Sequence, residues 1–340
     1  MDIQSIHFYV KDPDRIANLF IKKMGMQDSG WIDNGITSKY NLGENLPCFS
    51  VSSSPALACF DDDLNLHPSG VGNITFWVEN LDEMRRRIDR LDVKIIADES
   101  IETLPALKIK GWGSIDHTII QSPKFSQSNA RTDLQHPITG IDHIVLNVPA
   151  GELDAAVAWY REIFDFQVEQ TFTINTDRSG LSSKALISAC GNIRFNINEP
   201  SSSNSQVQEF LDLNRGAGIQ HIALHTDRIF ETVDRLQQQG VEFLPIPTTY
   251  YDLLKIRDGG WIESLLTSNE LQALERLQIL VDWSKDAPKS LLMQTFTKPI
   301  FEQPTFFFEI IERRDRAQGF GAGNFQALFE AVERHQEQLR

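Results

Sequence analysis

The sequence predicts an α+β protein made of two similar halves, and three observations support this fold class. Each half opens with a short apolar strand and an amphipathic helix, continues with a Gly-rich turn, strand, helix and strand, and closes with another apolar strand. These three landmarks follow one another in the same order in both halves, which indicates an internal duplication. Because the connections are short, we expect the helices to pack on one side of curved mixed sheets.

Each landmark rests on hydrophobic spacing and on residues that end helices. The matching segments of the two halves are 6–10 and 141–148 (opening strands), 14–23 and 152–164 (helices), 70–96 and 216–244 (Gly-rich units), and 114–120 and 305–311 (closing strands). Gly25 favours the end of the first helix. A last amphipathic helix is predicted over 324–338, where Asn324 can cap its start.

A polar stretch separates the two halves. Residues 122–139 are rich in Ser, Gln, Asn and Pro and have no clear hydrophobic period, which is typical of a linker. We therefore predict an N-terminal domain over 1–125, a linker over 126–139 and a C-terminal domain over 140–340. With 340 residues, the chain is long enough for each domain to bury its own core.

Composition and charge exclude several classes of function. A net charge of −15 argues against binding nucleic acid or an anionic membrane through bulk electrostatics. No apolar run reaches the roughly 18 residues that a membrane-spanning helix needs, and the first residues do not resemble a signal peptide, so we expect a cytoplasmic protein. Three scattered cysteines predict reduced thiols. An anionic ligand would need a local positive centre, such as a divalent metal.

Three residues of the second half have the chemistry of a metal site. His143, His221 and Glu309 lie on the three predicted strands that match across the duplication. Two imidazoles and one carboxylate on one side of a metal leave about three positions open, as in non-haem Fe(II) oxygenases. Threonine is not a usual ligand of divalent metals, so only the second half can complete such a set. The residues aligned by eye with the triad in the first half are His7, Thr75 and Thr118.

Each of these residues also has an ordinary structural interpretation. A single histidine in a strand is more often a core or surface residue, which is how we interpret His7 and the remaining histidines. Glu309 is different because it lies in the apolar run Phe-Phe-Phe-Glu-Ile-Ile, where an unpaired carboxylate is costly. It needs a bound cation or must stay protonated, and the ordinary alternative is a structural ion pair with Arg313 or Arg314.

The second half carries a specific set of motifs. In chain order they are IDHIVLNV, SGLSSKAL, NINEP, GAGIQHIAL, PTTYYDLL, LLMQTFTKP, FFFEIIERR and GFGAGNFQALFEAVE. In these motifs the chain resembles the 4-hydroxyphenylpyruvate dioxygenases of the vicinal-oxygen-chelate superfamily, whereas the first half resembles them mainly in layout. The resemblance implies tandem βαβββ modules that form two open-barrel domains, of which the C-terminal one is catalytic.

The resemblance also implies an activity and a set of site residues. The family converts 4-hydroxyphenylpyruvate and O2 to homogentisate and CO2 with Fe(II), and its iron ligands match His143, His221 and Glu309. The catalytic polar residues that the resemblance implies are Ser183, Asn198, Gln220 and Gln294, and the substrate-binding residues that it implies are Gln206, Phe296, Phe307, Asn324, Phe325 and Phe329. Taken singly, each amide could equally lie at the surface, and each phenylalanine in the core. The terminal helix would close over the pocket as a gate.

Two alternative functions stay open. Many family members have Pro two residues before the asparagine of the NEP motif, where this chain has Asn196. This difference leaves room for a 4-hydroxymandelate synthase, which shares the triad and the substrate but hydroxylates the benzylic carbon. A non-catalytic small-molecule-binding member of the superfamily is the other alternative. The resemblance alone implies a homodimer or homotetramer and a role in tyrosine catabolism or in quinone or tocopherol synthesis.

Overall fold

The computed structural model describes residues 1–32, 37–42, 46–53, 68–101, 104–122, 137–175, 180–257, 260–284, 287 and 289–324. The strands in these ranges form two eight-stranded mixed sheets, one from each half of the chain. The first sheet contains β1 (Asp2–Val10), β2 (Gln27–Ile32), β3 (Thr37–Asn41), β4 (Cys48–Ser53), β5 (Gly70–Val78), β6 (Ile95–Ile101), β7 (Leu104–Lys110) and β8 (Asp116–Gln121). The second sheet contains β9 (Gly140–Asn147), β10 (Gln167–Asn175), β11 (Gly180–Ile187), β12 (Arg194–Pro200), β13 (Gly218–His225), β14 (Leu280–Trp283), β15 (Leu291–Phe296) and β16 (Phe307–Arg313).

The helices of the described residues lie between these strands. They are α1 (Pro13–Asn18), α2 (Leu81–Arg90), α3 (Leu153–Phe164), α4 (Gln206–Asn214), α5 (Ile229–Gln238), α6 (Thr248–Ile256) and α7 (Ser268–Arg276). α1 continues as a π-helical turn over Leu19–Lys23 and stops before Gly25, whose φ is +74°. The predicted helices over 14–23 and 152–164 are therefore present. The Asn80 side chain caps α2 by accepting a hydrogen bond from the Glu83 amide.

The two sheets have the same strand order. It is β2-β3-β4-β1-β5-β8-β7-β6 in the first sheet and β10-β11-β12-β9-β13-β16-β15-β14 in the second. β1 pairs parallel with β4 and antiparallel with β5, and β9 pairs in the same way with β12 and β13. Each curled mixed sheet forms a half-barrel, which confirms the predicted α+β fold and the internal duplication.

Matching register shifts identify equivalent residues in the two sheets. β1 and β9 each shift register twice against their antiparallel neighbours, β5 and β13. The residues that these shifts make equivalent to His143, His221 and Glu309 are Ser5, Asn73 and Thr118. The alignment by eye was therefore wrong at His7 and Thr75, which both lie two residues further along their strands. Because side chains alternate between the two faces of a strand, an alignment that is wrong by two residues still assigns His7 and Thr75 to the correct face of the sheet.

One apolar core runs through both halves. Phe8 on β1 and Phe306 and Phe308 at β16 are fully buried in it. The ring centroids of Phe8 and Phe306 lie 5.3 Å apart in an edge-to-face contact, and Phe308 stacks on Phe49 of β4 at 5.7 Å. These contacts hold β16, the strand of Glu309, against the first sheet.

Some predictions fall on residues that the structure does not describe. The predicted linker over 126–139 is described only at 137–139, and the predicted terminal helix only at Asn324. The three domain ranges therefore stay predictions. In the described part of the chain, no helix is long and apolar enough to cross a membrane.

His117 of β8 makes the stability of this fold depend on pH. Its buried ring packs against α3, where Nε2 lies 3.0 Å from the Tyr160 hydroxyl oxygen. Burial lowers the pKa of His117 from 6.5 to about 3. Below pH 6.5 the unfolded chain takes up this proton and the folded chain does not. We therefore expect this residue to reduce the free energy of unfolding by about 1.4 kcal/mol per pH unit as the pH falls from 6.5 toward 3.

Urea unfolding at neutral pH and at about pH 4.5 checks this expectation. The matched variant is His117→Gln, which keeps a hydrogen-bonding side chain next to Tyr160 and does not titrate. The free energy of unfolding should fall less steeply with acid in the variant than in the parent protein. A parallel decline in both proteins would contradict the role given to His117.

Candidate metal centre

Three neighbouring strands bring two imidazoles and a carboxylate to one face of the second sheet. β13 lies between β9 and β16, and its residue Ala223 pairs with His143 on one side and with Glu309 on the other. Paired residues point to the same face, and so does His221, which lies two residues before Ala223. The side chains of the predicted triad therefore converge.

The candidate ligand atoms meet at the Glu309 carboxylate. Its Oε2 lies 3.3 Å from His143 Nε2 and 3.6 Å from His221 Nε2, and the three ligand atoms all lie within 4.8 Å of one another. All three side chains are buried, and the Phe307 ring stacks on His221 at 4.8 Å. Two imidazole nitrogens and one carboxylate oxygen form a donor set that suits a divalent transition metal.

Hydrogen bonds on the far side of each ring orient both imidazoles. His143 Nδ1 lies 2.8 Å from Asp142 Oδ1, and His221 Nδ1 lies 3.2 Å from Gln220 Oε1. Because both oxygens accept hydrogen bonds, each Nδ1 carries the proton and donates it. Nε2 is then the nitrogen of each ring that faces Glu309 and would bind a metal. Metal-binding histidines are typically held by an outer partner in this way.

The charges around the triad favour one added cation. Burial alone would lower the pKa of His143, but the carboxylates of Glu309 and Asp142 outweigh burial and raise the pKa to about 9. Burial and the charge on His143 lower the pKa of His221 well below its usual range. The site thus attracts a single positive centre between the two rings and the carboxylate. A divalent metal fits that requirement.

Neither of the two arginines considered as partners of Glu309 neutralises it. Arg313 forms a bidentate ion pair with Asp142, with nitrogen–oxygen distances of 2.6 and 2.7 Å. Arg314 forms an ion pair with Glu312. Among the described residues, the basic groups within 4.0 Å of the Glu309 carboxylate are the two triad imidazoles. The predicted ion pair of Glu309 with Arg313 or Arg314 is therefore wrong.

Sequence analysis missed Asp142 and Arg313 as members of this site. Burial alone would raise the pKa of Asp142, but the hydrogen bonds from Arg313 and His143 hold the pKa well below its usual range. Asp142 is therefore a permanent anion beside His143. A carboxylate in a buried apolar strand was the signal that singled out Glu309, and the same signal is present at Asp142.

Two of the equivalent residues of the first sheet, Asn73 and Thr118, hydrogen-bond to each other. Thr118 donates its hydroxyl to Asn73 Oδ1 at 3.1 Å, and the Asn73 amide donates to Thr75 at 3.2 Å. His7 Nδ1 lies 3.0 Å from the Ser50 hydroxyl oxygen. These polar side chains therefore bond to neighbouring protein groups. In the described residues, His143, His221 and Glu309 are the cluster with the geometry of a metal site.

The triad opens into a cavity of about 490 Å³, part of which is open to solvent. The predicted residues that line it are Asn198, Gln220, Gln294 and Phe296, and the further lining residues are Val145, Phe172, Ile174, Leu181, Asn196 and Phe320. Asn196 Oδ1 and Gln294 Oε1 are buried and have no hydrogen-bond partner among the described residues. Buried polar atoms are rarely left unpaired, so these two amides indicate a place for a small polar ligand.

Other predicted contacts lie elsewhere around the second sheet. Ser183 lies on β11, and its buried hydroxyl has no partner among the described residues. Gln206 is the first residue of α4. Asn324 is buried and accepts a hydrogen bond from Tyr250 at 2.9 Å. The predicted contacts outside the described residues are Phe325 and Phe329. The substrate roles of all these residues stay predictions.

Comparison with known proteins gives the family. Residues 140–260 match the Glyoxalase/Bleomycin resistance protein/Dioxygenase superfamily. The chain is 39% identical to the uncharacterized protein slr0090 of Synechocystis sp., over 100% of this chain and 99% of that protein. It is 33% identical to the 4-hydroxyphenylpyruvate dioxygenase of Dictyostelium discoideum, over 98% of this chain and 97% of that enzyme. The chain belongs to the 4-hydroxyphenylpyruvate dioxygenase family.

A solved structure shares the fold. A mutant of 4-hydroxymandelate synthase from Streptomyces coelicolor superposes with a TM-score of 0.80, over 98% of this chain and 99% of that chain. The two sequences are 23% identical. At this sequence identity the structural similarity supports the fold of two half-barrels and does not identify the reaction.

Loss of any triad residue should remove the metal. We expect His143→Ala, His221→Ala and Glu309→Ala each to weaken the binding of a divalent metal by more than the roughly 10- to 100-fold typical of losing an outer partner. Anaerobic titration with Co(II), followed by calorimetry, measures this affinity. The matched control is His225→Ala, which removes a histidine of the same strand that contacts Thr139 instead. Parental affinity in a triad variant would refute the assignment.

Proposed function

We propose that this chain converts 4-hydroxyphenylpyruvate and O2 to homogentisate and CO2, with Fe(II) as its metal. The observation that carries the proposal is the buried triad of two imidazoles and one carboxylate at a cavity whose wall holds two amide oxygens without a partner among the described residues. Membership of the 4-hydroxyphenylpyruvate dioxygenase family supports the same substrate. A homo-oligomeric state, a cytoplasmic location and the pathway served are proposed from the sequence and the family resemblance alone.

The triad would hold the metal and set the charge of the site. With His143, His221 and Glu309 as its ligands, a metal would keep coordination positions for substrate and O2. Fe(II) bound there supplies Lewis acidity and the redox chemistry of O2. Glu309 contributes one negative charge and the neutral imidazoles none, so the site keeps a net positive charge. That local charge attracts an anionic keto acid to a chain whose net charge is −15.

The cavity residues would orient the substrate and exclude water. The rings of Phe172, Phe296 and Phe320 line the cavity and offer faces and edges to a phenyl group. The unpaired oxygens of Gln294 and Asn196 can accept hydrogen bonds from a donor such as a phenol hydroxyl. Holding the keto acid at the triad and the ring against these walls places the reacting atoms together.

4-Hydroxymandelate synthase activity is the second candidate, and Asn196 is the observation that favours it. Its amide lies in the cavity, where many family members have Pro, and its Oδ1 has no partner in the described part of the chain. A polar group at this wall changes where the substrate ring rests relative to its side chain. The same triad and the same substrate serve both reactions, so the position of the ring decides which carbon is hydroxylated.

Product analysis tests the proposed function. Protein loaded anaerobically with Fe(II) and mixed with 4-hydroxyphenylpyruvate should consume O2 when air is admitted and release homogentisate. His143→Ala, treated in the same way, should release none. Release of 4-hydroxymandelate would favour the second candidate, and binding of the substrate without O2 consumption would mark a non-catalytic protein.

Gln294 should affect turnover more than metal binding. It faces the cavity from β15 and is not a triad member, so we expect Gln294→Ala to lower kcat/KM by roughly 10- to 100-fold, equivalent to one or two lost hydrogen bonds. Its Co(II) affinity should match that of the parent. The control is Gln238→Ala, at an exposed position of α5. Loss of metal in step with activity would contradict a substrate role.

Asn196 should influence the identity of the product. We expect Asn196→Ala to shift the ratio of homogentisate to 4-hydroxymandelate, because the variant removes from the cavity wall an amide whose Oδ1 has no partner among the described residues. Chromatography of the products under saturating substrate measures the ratio, and Co(II) affinity serves as the control for an intact triad. An unchanged product ratio would remove Asn196 from the account of specificity.

A further inference from the structure

Arg313, the last residue of β16, joins two parts of the site that are separate in sequence. Its side chain is only 10% exposed. Nε and Nη2 donate to the two carboxylate oxygens of Asp142 at 2.6 and 2.7 Å. Nη1 donates to the carbonyl oxygens of Ala317 and Gly319 at 3.0 and 2.7 Å. These four hydrogen bonds use the fixed, planar arrangement of the guanidinium N–H groups, which a lysine ammonium group cannot reproduce.

On one side this network reaches a member of the triad. Asp142 Oδ1 accepts a hydrogen bond from Arg313 Nη2 and another from His143 Nδ1. The carboxylate is therefore fixed between two donors, and its position sets that of the imidazole. Outer partners of metal-binding histidines fix both the tautomer and the orientation of the ring. The orientation of His143 thus depends on Arg313 through one intervening residue.

On the other side the network reaches the chain that follows β16. Asp315 and Arg316 have positive φ angles of 51° and 57°. Residues other than glycine rarely adopt this conformation unless the surrounding structure imposes it. The hydrogen bonds from Arg313 to Ala317 and Gly319 supply such a constraint immediately after the two strained residues. Arg313 therefore also determines where the following segment lies.

That segment, residues 317–321, forms part of the cavity wall. The Phe320 ring lines the cavity and meets the His143 ring edge to face, with centroids 5.3 Å apart. Gly321, with a φ of +75°, lies so close to Gln294 that a Cβ at this position would clash with Gln294 Oε1. The placement of the segment therefore sets the space around Phe320 and Gln294.

We propose that Arg313 is a positioning residue that couples the orientation of His143 to the placement of residues 317–321 at the cavity wall. The metal half of this inference rests on the function proposed above for the triad. With the segment in place, its carbonyl oxygens hold Arg313, Arg313 holds Asp142, and Asp142 holds the imidazole. When the segment leaves the wall, the imidazole loses its fixed orientation.

Arg313→Lys tests the coupling because it keeps the positive charge and removes the planar guanidinium that makes the four hydrogen bonds. In the metal-free protein, amide hydrogen exchange in a peptide covering 317–321 should be faster than in the parent. In the same preparation, calorimetry should show Co(II) affinity reduced by roughly 10- to 100-fold. The matched control is Arg314→Lys, which alters the neighbouring arginine, paired with Glu312 and Glu270, and should change neither quantity.

Asp142→Asn provides a second, nearly isosteric variant in case Arg313→Lys does not fold. It removes the anion that Arg313 and His143 share, so both the exchange rate of 317–321 and the Co(II) dissociation constant should rise. A folded variant in which only one of these two quantities changes would overturn the coupling. Equal losses in Arg314→Lys would overturn it as well, because they would indicate a general effect of weakening this part of the fold.

The outcomes separate this inference from the proposed function. If the parent protein binds Co(II) and Arg313→Lys changes neither affinity nor exchange, the coupling is wrong and the proposed function stands. If the parent protein binds no Co(II), the metal role of the triad fails, and the inference fails with it. Faster exchange and weaker binding in both Arg313→Lys and Asp142→Asn, with Arg314→Lys unchanged, is the result that supports the coupling.

Discussion

The account depends on a single buried carboxylate. Glu309 lies in an apolar strand, faces two imidazoles whose Nδ1 protons are already donated to other groups, and has no arginine or lysine within ion-pair distance among the described residues. An isolated buried carboxylate is costly, and removing one partner of a buried pair costs several kcal/mol. A positive charge held among the three groups offsets that cost, either as the proton that raises the pKa of His143 to about 9 or as a bound cation. A divalent metal meets that need and also explains why the imidazoles are held in one tautomer.

The duplicated fold shows what converts a half-barrel into a metal site. Both sheets share strand order and register shifts, so the scaffold offers the same three positions twice. In the first sheet these positions hold Ser5, Asn73 and Thr118, and the neighbouring polar side chains bond to one another. In the second sheet they hold the triad, and two amide oxygens at the cavity wall have no partner in the part of the chain that the structure describes. The difference in chemistry thus comes from side chains on a common backbone.

Local patterns in the sequence predicted the fold class, the duplication and the triad, because apolar periodicity and a carboxylate in an apolar strand can be read within a short window. The exact alignment of the first sheet with the second could not be predicted in this way. Moving a strand by two residues keeps the same side chains on the same face, and only the register shifts between paired strands show the displacement. The pair of Asp142 and Arg313 spans 171 positions, and no local pattern links them. Three helices, α4, α6 and α7, also went unpredicted, since none is part of the repeated landmarks.

The most direct test of the central claim is an anomalous difference map from crystals of the protein loaded anaerobically with Fe(II). One iron peak should lie within bonding distance of His143 Nε2, His221 Nε2 and a carboxylate oxygen of Glu309, with its remaining side facing the cavity. A peak bound by other residues, or a triad whose three side chains hold no metal at saturating Fe(II), would contradict the account.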